Sequence, residues 1–129
     1  SHLITSVSGS SAYFKGSIVA YANEVKTGML SVEEDDIIKY GAVSKQVVEQ
    51  MAKGALDVFK TTHAIAVTGI AGPEGGTAEK PVGTVWLAVA NKTGIMSKQY
   101  NFGDDRLRNI KRSAATALNM LRLFVLDNL

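Results

Sequence analysis

The chain has 129 residues, 46% hydrophobic and 20% charged, which fits one globular domain with a real core and excludes a disordered class. A formal charge of +2, with basic residues scattered along the sequence, leaves no reason to expect nucleic acid as the main partner; with no cysteine and only His2 and His63, neither disulfides, thiolate chemistry nor a metal site is expected. No stretch reads as a signal peptide or as the ~20 apolar residues that span a bilayer, so no membrane partner is expected and the cytoplasm is the expected compartment.

Leu3, Ile4 and Val7 have helical spacing that Ser8-Gly9-Ser10-Ser11 breaks, so the chain opens on the tail of a helix. It starts inside that pattern without Met, and a truncated N-terminus lacking a first strand is expected. Gly16 to Tyr21 is β-branched and aromatic and predicts a strand. Asn23 to Leu30 reads as a short helix. Glu33-Glu34-Asp35-Asp36 complements a helix dipole and reads as a helix start ahead of Ile37 to Gly41, not as a metal site. Ser44 is the expected N-cap of a helix whose apolar face is Val47, Val48, Met51, Ala52, Ala55, Leu56 and Phe59.

His63 to Gly69 is apolar at consecutive positions, as a central strand covered on both faces would be. A glycine-rich loop follows from Gly69 to Gly83, then a second buried strand from Gly83 to Ala90. The turn Asn91 to Gly94 and an alternating run from Ile95 to Phe102 predict a hairpin, so at least one strand pairing is antiparallel. Asp104 or Asp105 caps a last helix with the stripe Ile110, Ala114, Ala117, Leu118, Leu121, Phe124 and Val125; Arg106, Arg108, Lys111, Arg112 and Arg122 form its solvated face. The expected fold is α/β: three layers, α/β/α, around a mixed sheet, with residues 1–129 as one domain.

Two segments can carry chemistry. The loop after Thr68 leaves the C-terminal end of a strand, where ligands of open α/β sheets bind, and its glycines let backbone N–H groups approach an anion, with Lys80 adding charge. It matches neither GxxxxGK[ST] nor GxGxxG, and it also reads as a surface loop stiffened by Pro73 and Pro81; loops of this length without secondary structure are uncommon unless functional. The second is Tyr21 to Lys26. A lysine there is ordinarily a solvated surface residue, whereas a desolvated one loses its proton near neutral pH and serves as a base. Spacing leaves both readings of Lys26 open. Tyr21 and Trp86 read as core residues.

Three blocks together resemble one family: Gly9 to Phe14 with Val19 to Lys26; Tyr40-Gly41-Ala42-Val43-Ser44; and Val67 to Pro73 with Gly75-Gly76-Thr77 and Glu79 to Val85. They are similar, in order and over almost the whole chain, to the C-terminal domain of the competence/damage-inducible protein CinA, also found as a stand-alone nicotinamide-nucleotide amidohydrolase. The resemblance implies hydrolysis of nicotinamide mononucleotide to nicotinate mononucleotide and ammonia in pyridine-nucleotide salvage, with a serine nucleophile, a lysine partner, no cofactor and a homodimer. By motif, Lys26 is the base, Thr68 sits by the carboxamide, and Tyr21 and Asn23 line the pocket. Gly69, Ala71, Gly72, Gly75, Gly76 and Lys80 hold the nucleotide. The family arginine after Gly-Asp maps to Arg106, with Arg108 competing because Gly103-Asp104-Asp105-Arg106 departs from the plain form.

The family's serine lies in an ESCTGG-like segment that Ser1, Ser6, Ser8, Ser10 and Ser11 do not match, so this stretch alone is expected to be inactive. The alternative function is a non-catalytic nucleotide-binding or regulatory module linked to competence or DNA damage.

Overall fold

The computed structural model describes residues 1–127. Helix α1 (His2–Thr5) and a 3₁₀ turn (Ser10–Ala12) precede α2 (Asn23–Leu30), α3 (Glu34–Tyr40) and α4 (Lys45–Phe59); strands β1 (His63–Gly69), β2 (Thr84–Asn91) and β3 (Ile95–Asn101) follow, and α5 (Arg106–Asp127) closes the chain. The α/β class is as expected, with helices on both faces of one sheet. The α4 face holds Leu30, Val32, Val47, Val48, Met51, Ala52, Ala66, Ala88 and Ala90, and the α5 face holds Val85, Leu87, Val89, Ala117, Met120 and Phe124. β2 feeds both layers by alternation, which is why it carries the longest buried apolar run.

The sheet differs from the mixed one expected. Its order is β1-β2-β3 and both pairings are antiparallel, with Gly69 opposite Val85 and Ala90 opposite Ile95. The reason lies in the connections: no helix crosses between β1 and β2, and a parallel pair needs such a crossover. The ladder instead continues into the glycine-rich loop, where the Ile70 N–H donates to Thr84 O (2.9 Å) and the Gly83 N–H to Ile70 O (2.7 Å). Among the described residues β1 therefore lies at the edge of the sheet and not at its centre, and Val67 on it is 40% exposed.

Gly16–Tyr21 is extended and alternates inward and outward, but among the described residues it joins no ladder. Its inward residues Ile18 and Ala20 pack on the α4-side core. Apolar burial holds it in place of strand pairing.

Local chemistry explains the helix ends. The Ser44 hydroxyl accepts from the Val47 N–H (3.3 Å) and donates to Gly41 O (2.9 Å), so the expected cap of α4 is present. Glu34, Asp35 and Asp36 occupy the first turn of α3. Asp105, not Asp104, caps α5: its Oδ1 accepts from the Arg108 N–H (2.9 Å).

Candidate active site

Lys26 lies one turn into α2, and that helix packs its inner face on α4. The residue is only 6% exposed, and its Nζ donates to Ala20 O at 2.8 Å. Among the described residues the only ion pair is Lys45–Glu49, so no carboxylate compensates the buried amine. Desolvation lowers its pKa below the ordinary 10.5. Burial without a counter-charge shifts this amine toward its neutral form, whose lone pair can accept a proton. Asn23 opens α2 and is exposed. Tyr21 is 81% exposed and so not the core residue expected, whereas Trp86 is half-buried against the α4 layer as expected.

Thr68 points from β1 toward α4. It is 6% exposed and its hydroxyl donates to Ala42 O (2.9 Å). Lys80 reaches back from the far limb of the loop and its Nζ donates to Tyr40 O. With Ser44 on Gly41 O, three successive carbonyls of the α3–α4 connection each accept a side chain from a different element. Gly41 is glycine for a reason: its φ is +82°, and a Cβ there would lie 2.9 Å from the Lys80 Nζ.

The loop is folded tightly on itself. A Cβ on Gly72 or Gly76 would meet Val82 at 2.4 and 2.6 Å, so these glycines serve close packing. The Thr77 N–H donates to Lys80 O (2.8 Å) and the Lys80 N–H to Thr77 Oγ1 (3.0 Å). The N–H groups of Glu74, Gly75 and Gly76 have no acceptor among the described residues. Those three donors remain available to an anion.

Arg106 begins α5 and joins two of the expected segments. One guanidinium nitrogen donates to Gly72 O (2.8 Å) and the other to the Tyr21 hydroxyl at a long 3.4 Å. The Arg108 side chain is exposed and has no partner among the described residues, so Arg106 is the arginine on the loop. Asn109, one turn further, was not legible as a site residue. It is 1% exposed, and its Nδ2 donates to Ala71 O and Gly103 O, both at 2.9 Å. A groove of about 260 Å³ lies beside it, walled by Val67, Gly69, Ala71, Val85 and Ile110. A wider cleft of about 750 Å³ opens at the other end of the sheet, beside Lys53, Lys60 and Lys92. Neither is lined by Lys26 or Thr68. The structure thus joins Tyr21, Arg106 and Gly72, and joins Thr68 and Lys80 through Tyr40–Ala42; Lys26 bonds to the segment before Tyr21 and not to the loop.

The model of the CinA C-terminal domain matches residues 1–125. The chain belongs to the CinA C-terminal domain family. A CinA-like protein of Flavobacterium psychrophilum is 49% identical over 125 residues, 97% of this chain and 30% of that protein. One from Fervidobacterium nodosum is 49% identical over 116 residues, 90% and 28% of the two chains. This CinA-family chain therefore spans less than a third of the curated relatives it matches. Among solved structures it is similar to the competence/damage inducible protein CihA from Agrobacterium tumefaciens: TM-score 0.91, 42% identity, 95% of this chain and 78% of that one. A CinA superfamily protein from Escherichia coli gives a TM-score of 0.87 at 30% identity, covering 92% and 69%. The fold of the CinA C-terminal domain is thus shared along nearly the whole chain.

Proposed function

We propose that this domain supplies the base and the nucleotide-holding loop of an amidohydrolase that converts nicotinamide mononucleotide to nicotinate mononucleotide and ammonia. The observation that carries the reading is Lys26: a buried amine without a counter-charge, its pKa lowered by desolvation and its Nζ donating to Ala20 O. Amide hydrolysis at neutral pH needs a group that takes a proton from a hydroxyl nucleophile and returns it to departing ammonia, and a neutral lysine does both. Arg106 and the N–H groups of Gly75 and Gly76 are donors suited to the 5′-phosphate, and Lys80 adds charge to that wall. Thr68, Tyr21 and Asn23 complete the pocket in this reading. No serine of this chain is assigned as nucleophile, and no metal or cofactor is invoked. The domain acts as a homodimer in the cytoplasm in the same reading.

Ammonia release from nicotinamide mononucleotide is the deciding assay. The 129-residue chain is expected to bind the nucleotide without turning it over, and the same chain preceded by a Glu-Ser-Cys-Thr-Gly-Gly segment is expected to release ammonia. Turnover by the 129 residues alone would refute the serine assignment. Binding without turnover in both forms favours a regulatory nucleotide module, and no binding in either form removes the nucleotide reading.

A further inference from the structure

We infer that Asn109 is a positioning residue that fixes the glycine-rich loop in its ligand-ready shape, and this rests on the nucleotide reading above. Its side-chain amide has two N–H hydrogens, and both are spent on carbonyls that belong to the loop or brace it. The first, Ala71 O, lies 38 residues away at the loop entry. The second, Gly103 O, lies in the β3–α5 turn. That turn is pressed against the loop exit: the Phe102 N–H donates to Gly83 O (3.0 Å), and a Cβ on Gly83 would lie 2.1 Å from Gly103 O. One amide therefore ties the entry of the loop to the turn that packs on its exit. Arg106, a turn earlier on the same helix, takes the next carbonyl, Gly72 O.

The oxygen of the same amide takes no part in this tie. Asn109 Oδ1 is buried and has no hydrogen-bond partner among the described residues. A buried acceptor without a partner costs stability, and the two N–H bonds to Ala71 O and Gly103 O offset that cost. Of its buried helical neighbours in phase, Ser113 is polar and Ala117, Met120 and Phe124 are apolar. Asparagine at this place buries one unpaired oxygen while delivering two donors to two carbonyls. Aspartate, the same shape, would turn an acceptor toward both carbonyls and cannot do it.

The test compares the protein with Asn109→Leu and Asn109→Asp. Three quantities are read: the thermal midpoint, amide exchange across residues 71–83, and calorimetric affinity for nicotinamide mononucleotide measured well below the midpoint. Asn109→Leu removes the orphan oxygen but leaves Ala71 O and Gly103 O without their donor, and is expected to lower the midpoint, to speed exchange in the loop, and to weaken nucleotide binding by about tenfold, a factor equivalent to about 1.4 kcal/mol. Asn109→Asp is expected to show the same loop exchange with a lower midpoint; should it fail to fold, the leucine variant decides. A leucine variant with a lower midpoint but unchanged loop exchange and affinity overturns the inference, because Asn109 is then only structural. Faster loop exchange in the variant, with no nucleotide bound even by the unsubstituted protein, upholds the positioning role and removes the amidohydrolase reading.

Discussion

At the scale of single residues, Lys26 makes a claim about pH. Burial holds its folded-state pKa below the 10.5 of an ordinary lysine. Between those two values the unfolded chain binds a proton that the native chain does not, so stability rises with pH through that window. Below it the native state carries a buried ammonium at full cost. Urea midpoints measured up to pH 10 should therefore climb for the protein relative to Lys26→Met, which has no amine to desolvate; parallel curves would show that the amine is solvated. In a form that turns over, the same substitution should cut the rate by about 10²–10⁴-fold, the usual worth of a general base. The sequence left Lys26 open between surface and base, because solvation depends on how α2 lies on α4, and no local pattern encodes that contact. Asn109 and Ser113 escaped notice for a related reason. They are in phase with Ala117, Met120 and Phe124, but apolar periodicity alone places the stripe on Ile110, which is 50% exposed.

Elements were read more fully than their neighbours. Ser44, the acidic run before Ile37 and the turn at Asn91–Gly94 are local signals acting within a few residues, and the helix or hairpin each predicts is present. Partner choice in the sheet is not local, and an apolar run such as His63–Gly69 reads alike at an edge and at a centre when helices cover both faces. Gly54 shows how packing overrules propensity. It sits mid-way in α4, where glycine costs about 1 kcal/mol against alanine, yet a Cβ there would stand 2.0 Å from Leu30 O at the end of α2. Gly54→Ala should therefore destabilise by about 1–3 kcal/mol by overpacking, read from chemical denaturation, where an exposed helix would have gained. Gly41→Ala should cost a similar ~1–3 kcal/mol, since its φ of +82° disfavours any side chain. It should also free Lys80 from Tyr40 O, seen as faster amide exchange at Thr77 and Lys80. A stable Gly41→Ala protein with an unaltered loop would contradict that geometry.

For the whole molecule, α/β layering followed from the order of helical and strand-like patterns, and the resemblance in three separated blocks agrees with a family match over residues 1–125. The site was legible as segments and not as an assembly: Arg106 bonds to both the Tyr21 hydroxyl and Gly72 O, and Thr68 and Lys80 bond to Ala42 O and Tyr40 O, contacts that sequence does not distinguish. Nicotinamide mononucleotide at 100 times its Kd should stabilise the fold by about 2.7 kcal/mol, read as a rise in thermal midpoint that nicotinate mononucleotide also produces to some extent. Helix α5 gives that coupling a physical form. One rigid rod carries Arg106 and Asn109 at its first turns and Met120 and Phe124 in the core, and at 1.5 Å per residue those two ends are roughly 20 Å apart. A core substitution such as Met120→Ala, which lets the rod tilt, moves the two grips on the loop like the short arm of a lever. Repacking beneath the sheet is then felt as a change in how the glycine-rich loop is held, with no residue of the loop altered.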